Sequence, residues 1–315
     1  ANETKSLSST WPSLLRSPGH GSRSRTIAVR MSNVSLSMQV AAIVDSREPV
    51  IVSELARKLP DILAIAGEVI GARGGRHVES VEVTNHSGTS RRIDCDLVAM
   101  SGGWSPTLHL TSHKGNRPRW DEERSIFVPD MLPTGMRVAG AANGNMTLGE
   151  ALMTGFRQGL TAEATCGFSG SMPALPRVTE ESARRVPLWR VRQASGKCFV
   201  DFQNDVTADD VELAEHEGYR SIEHLKRYTT LGMATDQGKT SGVTGIALLA
   251  KQRSRSIADT GTTTFRPPYT PVALGAFPGL EIANVFGVRV PDTEGRAGMA
   301  ALVLRDPAAF DGRAF

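Results

Sequence analysis

The sequence is short of cysteines and has no long apolar run, and each shortage removes a class of protein. Its three cysteines, at positions 95, 166 and 198, are odd in number, far apart and without a C-x-x-C pair. That usage excludes a disulfide framework and a thiolate zinc site, and it fits a reducing cytoplasm. The longest uncharged apolar stretch, Val243 to Ala250, falls well short of the ~20 residues that cross a bilayer, so no membrane partner is expected. Lys and Arg number 36 against 33 Asp and Glu, a formal charge of +3. Without clustered basic and aromatic stretches, that excess does not make a nucleic-acid groove. A Gly-x-Ser-x-Gly elbow, a Walker A loop and an H-E-x-x-H helix are all missing, and no internal repeat is visible.

What is present describes a globular chain of one to three domains. Hydrophobic residues make up 40% of 315, and 31 glycines bring the apolar share to an ordinary level for a packed core. The first 38 residues stand apart, with ten serines, five Lys or Arg, one acid (Glu3) and no hydrophobic period. Residues 1–37 are therefore expected to be a disordered or non-native extension. From Met38 the pattern is α/β. Gln39 to Asp45 reads as a strand buried on both faces, Ser53 to Leu63 as a helix, and Ala64 to Ile70 and His77 to Val83 as strands around a Gly71–Gly75 turn. Ile93 to Met100 reads as another buried strand, and Arg137 to Ala142 as a short strand leading to a helix from Leu148 to Thr165. Residues 173–187, rich in Pro, Arg and Glu, look like a linker. A small helical unit follows: Thr207 and Asp210 form a capping-box-like start, Gly218 can close that helix, and Ser221 to Thr229 and Thr240 to Lys251 are the next two helices.

The strongest local signal for chemistry is Val138-Ala-Gly-Ala-Ala-Asn-Gly-Asn-Met-Thr-Leu-Gly-Glu150. A strand ending at Gly140 allows close backbone approach, and amides at the start of the Leu148 helix face a partial positive charge suited to phosphate. The competing reading is a tight strand-to-helix turn with no ligand. Paired dinucleotide folds usually have Gly-Asp here; Gly140-Ala141 lacks the carboxylate that would hold ribitol or ribose hydroxyls. Asp45 stands where a ribose-binding acid would stand, but the Gly-x-Gly-x-x-Gly turn that should precede it is absent, which favours a structural role. His109 and His113 are spaced to share a metal if helical, yet no third ligand follows at a recognisable spacing, so no metal is expected.

Five segments together resemble one family, the alpha subunit of heterotetrameric sarcosine oxidase: CDLVAMSGGWSP (95–106), KCFVDFQNDVT (197–207), SIEHLKRYT (221–229), GMATDQGKTS (232–241) and TTFRPPYTP (263–271). The resemblance covers roughly residues 38–276. It implies an α/β fold: an incomplete FAD/NAD(P)-binding, Rossmann-like domain over 38–172, followed by a small helical domain over 188–275. It further implies an oxidoreductase acting on CH-NH donors that oxidatively demethylates sarcosine to glycine, with hydrogen peroxide and formaldehyde or methylene-tetrahydrofolate. The expected cofactors are NAD, FMN at the interface with a beta subunit, and FAD on that partner. The expected partners are the sarcosine oxidase beta subunit and smaller subunits. Gly140, Ala141, Ala142, Met146 and Leu148 match the part of the family motif that closes over NAD; no catalytic residue is assigned.

The small domain also looks like the iron–sulfur module of related amine and opine dehydrogenases. On that pattern Asp201, Gln203, Asp236 and Ser241 occupy the four thiolate positions. None is a cysteine, so the module is expected to be clusterless. Phe277 to Leu304 instead resembles the carboxy-terminal part of fatty-acid transport-type acyl-CoA synthetases, making 276–315 an atypical tail. The tetrahydrofolate site is expected to be missing, and the chain is expected to be a fragment, inactive alone. The alternative function is a non-catalytic docking module for a flavoprotein partner.

Overall fold

The computed structural model describes residues 25–31, 38–171, 174–178, 187–266, 270, 272, 280–289 and 296–304. The chain divides into two units, residues 1–266 and 267–315. The described part of the second is an antiparallel pair, Leu280–Arg289 with Arg296–Leu304. Most of the expected extension 1–37, linker 173–187 and tail 276–315 lies outside the described residues. Where the extension is described, Arg25–Met31 forms a strand, a correction to the reading of 1–37 as extension throughout. Its alternating Thr-Ile-Ala-Val core is too short to register as a sustained period.

The first unit begins with a six-stranded mixed sheet in the order β5-β4-β3-β2-β1-β6. The strands are β1 (Arg25–Met31), β2 (Met38–Asp45), β3 (Ala64–Gly74), β4 (Val78–Asn85), β5 (Ser90–Asp94) and β6 (Leu97–Ser101). The apolar run ending in Asp45 forms β2, with Val40, Ala42, Ile43 and Val44 buried. β2 pairs parallel to β3, with helix α1 (Pro49–Lys58) between them, a single βαβ unit in an otherwise antiparallel sheet. The helix starts four residues earlier than the expected Ser53. Pro49 sits in its first turn, where its fixed φ suits the helix and its missing N–H costs nothing. It stops at Lys58 because Pro60 drives the preceding Leu59 out of the helical region, to φ −133 and ψ 66.

Glycine-rich residues expected to turn instead continue β3 as far as Gly74, through register shifts at Val69/Gly71 and Arg73/Gly74. At Gly67 any side chain would collide with β4, since a Cβ would lie 2.0 Å from the Thr84 carbonyl oxygen. The single strand expected over Ile93–Met100 is two strands, β5 on one edge of the sheet and β6 on the other. Only Cys95 and Asp96 separate them. Six flat strands would hold the edges about 24 Å apart at ordinary strand spacing, whereas three peptide steps reach only about 11 Å. The sheet must therefore curl until its edges approach. Cys95 turns inward at that crossing, donating its amide to the Glu79 carbonyl (3.1 Å) and packing among Ala42, Val44, Ile65, Val81, Val83 and Ile93.

Helix α2 (His109–Ser112) and the hairpin β7 (Arg119–Asp121) and β8 (Ile126–Val128) follow. The strand expected over 137–142 is not formed; Gly140, with φ +65, bends the chain into a short 3-10 turn, Gly140–Asn143. Helix α3 (Leu148–Thr165) has the expected bounds, set by a complete Thr147–Glu150 capping box.

The helical unit holds the short strands β9 (Phe199–Asp201) and β10 (Val206–Thr207) and helices α4 (Ala208–His216), α5 (Ile222–Thr229), α6 (Gly242–Gln252) and α7 (Ile257–Thr260). Thr207 and Asp210 form the expected capping box, and Gly218, at φ +93, lets the Tyr219 amide return to the Ala214 carbonyl. Val211, Ala214, Leu225 and Leu249 are completely buried in the core. Leu108 and Phe127, distant in sequence, join that same core. Among the described residues no helix is long and apolar enough to cross a membrane. Truncating Leu225 to Ala removes a fully buried side chain from this core; chemical denaturation should register a loss of about 2–5 kcal/mol, and a change within error would mean the core can collapse around the gap.

Candidate functional site

The five residues expected to close over NAD share one turn. Gly140, Ala141 and Ala142 lie in the 3-10 turn, Met146 follows it, and the exposed Leu148 opens α3. The turn closes on itself. The Gly140 amide donates to Thr154 Oγ1 (3.3 Å), Gly144 to the Ala141 carbonyl (3.0 Å) and Asn145 to the Gly140 carbonyl (3.1 Å). The capping box uses the amides of Thr147 and Glu150 at 3.2 Å each. Gly144, at φ +81, has no room for a side chain, because a Cβ would meet Val128 Cγ1 at 2.6 Å.

Charge at this helix start is also already supplied. Glu150 reaches Arg124 (3.4 Å), which pairs with Asp121 (3.1 Å). Burial raises the Glu150 carboxyl, but hydrogen bonds from Thr147 and Arg124 outweigh it and hold the group below its ordinary range. A carboxylate at the positive end of α3 competes with any phosphate. Of the five candidate residues only Gly140 has its amide bonded to a side chain, so the approach of a phosphate is opposed by the Glu150 charge and not by a lack of amides. The other acid considered for a ribose, Asp45, is fully buried and ion-paired to Arg47 through three contacts of 2.5–3.0 Å.

The four positions matching cluster ligands do converge in part. Asp201, only 2% exposed, accepts from the amides of Gln203 (2.9 Å), Asn204 (3.3 Å) and Gly232 (2.7 Å) and from the Ser241 hydroxyl (3.4 Å). Gln203 Oε1 accepts from Thr235 Oγ1 (2.7 Å). Asp236 closes its own turn, accepting from Gly238 (3.2 Å) and from the Thr240 amide (3.2 Å) and hydroxyl (2.6 Å). Gly232 and Gly238 meet backbone to backbone, a Cβ on Gly232 being 3.0 Å from the Gly238 Cα. A carboxylate hydrogen-bond network therefore joins the loop after β9 to the loop before α6.

Sequence reasoning missed a cleft beside this network. The 105–109 segment, α5, the 231–243 loop with the start of α6, and residues 262–265 enclose about 80 Å³, room for several water molecules. Its lining includes the apolar Phe127, Ile246 and Phe265 and the basic Lys226, Lys239 and His109. His109 and His113 do share a helical turn, but among the described residues no group of three potential ligands could hold a metal. Instead His109 packs edge-on against Phe265, with ring centroids 4.6 Å apart. Burial, then the charge of Lys239, and more weakly His113 and Lys226, push its imidazole down, against a hydrogen bond with the Gln237 backbone. Burial also lowers the Lys226 ammonium, which Glu223 raises and Arg227 and Arg266 lower further. The Cys95 thiol is pushed up by burial and the neighbouring Asp96, so it is no ready nucleophile. The only signal for the cleft in sequence was a pair of lysines in separate motifs.

Two outcomes follow. Asp201→Ala leaves buried donors without an acceptor and should lower unfolding stability by about 2–5 kcal/mol; an unchanged denaturation midpoint would contradict the network. Burial raises the Asp236 carboxyl, but the bonds from Thr240 and Gly238 more than offset it and depress the group below its ordinary value. Its stabilisation is present above the unfolded carboxyl pKa and lost as pH falls through the folded one. Asp236→Asn should therefore flatten the acid limb of the stability–pH curve below about pH 4; a limb of unchanged slope would contradict this.

Residues 195–279 match the family described as the sarcosine oxidase A3 domain. The chain is 40% identical over 251 residues to "Sarcosine oxidase subunit alpha" of Rhizobium meliloti (strain 1021), an alignment covering 79% of this chain and 25% of that protein. It is 32% identical over 265 residues to the protein of the same name from Corynebacterium sp. (strain P-1), covering 79% and 27% respectively. The chain thus spans about a quarter of the length of these curated relatives. Among solved structures it is similar to L-proline dehydrogenase from P. horikoshii, with a TM-score of 0.51 and 18% identity over 71% of this chain and 47% of that one. That likeness concerns the fold alone, and it agrees with the α/β class. By sequence, the chain is a homologue of a segment of sarcosine oxidase alpha subunits.

Proposed function

We propose that this chain serves as part of the alpha subunit of a heterotetrameric sarcosine oxidase, within an enzyme that demethylates sarcosine to glycine while oxygen is reduced to hydrogen peroxide. The observation that carries the reading is 40% identity over 251 residues together with the A3-domain match over 195–279. The methyl carbon leaves as formaldehyde or as methylene-tetrahydrofolate. On this reading FAD sits on a beta subunit and FMN at the interface with it, the smaller subunits complete the assembly, and the location is cytoplasmic.

The residues of this chain supply scaffolding and not redox chemistry. Asp201, Gln203, Asp236 and Ser241 hold the module's loops by hydrogen bonds and offer no thiolate to a cluster. NAD is the cofactor this chain is least equipped to retain, because Ala141 stands where a ribose-binding carboxylate would and the start of α3 already holds the Glu150 carboxylate. A second reading, a non-catalytic docking module over 188–275 for a flavoprotein partner, is favoured by the same clusterless network.

The isolated chain should form little or no peroxide with sarcosine, and calorimetry should detect weak NAD binding or none. Sarcosine-dependent peroxide production by the isolated chain would contradict the first expectation, and tight NAD binding the second. Retention of a beta subunit by residues 188–275 with no cofactor bound would favour the docking reading.

A further inference from the structure

We infer that the outer edge of β6 (Leu97–Ser101) is the contact through which two copies of this chain pair, strand to antiparallel strand, about a two-fold axis at Ala99. β6 is the last strand of the sheet, and among the described residues its main chain is paired on one side alone, with β1. A row of N–H and C=O groups on an open edge is a template for another strand. Side chains alternate along a strand, so Leu97 and Met100 stand on opposite faces of the sheet. They are 43% and 62% exposed, and Ala99 and Ser101 are exposed as well. Each face of β6 thus keeps an apolar side chain in water. No Lys, Arg, Asp or Glu occurs between Asp96 and Lys114, so nothing charged guards this edge.

The distribution of charge says what the edge accepts. The opposite edge, β5, carries exposed Arg91, Arg92 and Asp94, with Arg92 and Asp94 paired at 3.2 Å. That is the guarding β6 lacks. Joining β6 of one copy to β5 of the next would set those charges against an apolar strand and leave an open edge at each end, a contact that grows without closing. Joining β6 to β6 uses up the one unguarded edge of each copy and closes at two. The sense of the pairing follows from Asp96, the charge that borders the run. Parallel strands would set the two Asp96 carboxylates side by side, about 5 Å apart. Antiparallel strands centred on Ala99 set each Asp96 opposite Gly102 of the second copy, with the two acids about 20 Å apart and well beyond the ~8 Å screening length. In that register Val98 lies opposite Met100 and Leu97 opposite Ser101, so apolar side chains meet across the new pair.

This pairing goes beyond the family reading and does not rest on it. Sedimentation equilibrium of the full chain should give twice the chain mass, and hydrogen exchange should show the amides of 97–101 better protected at high protein concentration than at low. Ala99→Lys and Ala99→Glu each set like charges against each other at the axis, and each variant should sediment as a monomer with unchanged circular dichroism, because Ala99 is exposed and the fold does not depend on it. Mixed in equal amounts, the two variants should recover the double mass, since opposite charges then face each other. A monomer of the unaltered chain at every concentration, a series of masses beyond two, a double mass in either variant alone, or a mixture that stays monomeric would overturn the inference. So would protection of 97–101 that arises only when a flavoprotein subunit is added, because that subunit and not a second copy would then occupy the edge. None of those failures touches the family reading, which rests on partner capture and peroxide production.

Discussion

The helical unit depends on one buried carboxylate. Asp201 sits at the end of β9, gathers amides from its own turn and reaches across to Gly232 and Ser241, thirty-one and forty residues away. A carboxylate shielded from water is costly unless its lone pairs are filled, and here four donors fill them. The loop before α6 can then lie against the loop after β9, the two glycines 232 and 238 touch, and α6 is delivered into the core with Gly245 against Leu231, where a Cβ would come within 2.4 Å of the leucine. The cationic cleft opens beside that junction, its floor formed by residues the network holds in place.

The same unit is not self-contained. Its core includes Leu108 and Phe127 from the segment that leaves the sheet, with Trp120 packed against it and stacked edge-on to Phe127 at 4.9 Å. Burial of those side chains couples the sheet-bearing segment to the helices, and residues of both line the cleft. Residues 195–279 match as a domain by sequence, but the packing that stabilises them begins near residue 108.

Much of the local structure was legible because it follows from short-range rules. The run ending in Asp45 had to be a buried strand, Thr207 with Asp210 had to start a helix, and Gly218 had to end it. What failed depended on distant partners. Ile93 to Met100 reads as one strand, yet Cys95 is drawn into the core and the chain crosses to the other sheet edge. Arg137 to Ala142 reads as a strand, yet it finds no ladder among the described residues, and the left-handed Gly140 turns it aside. The candidate residues at 140–148 were found as a cluster, but that Thr154 takes the Gly140 amide and Glu150 places a carboxylate at the start of α3 could not be read from spacing.

By itself the sequence determined the α/β class, the helical unit's capping signals, the lack of thiolates at four ligand positions and the resemblance to one oxidase subunit. Those properties are carried by residue identity or by neighbours within a few positions. The tertiary structure decided that the sheet curls between edges joined by two residues, that the Asp201 carboxylate ties together loops thirty-one residues apart, and that Lys226 and Lys239 line one cleft. Each of these arises from groups far apart in the chain meeting under exclusion of water, and sequence order carries no measure of that distance.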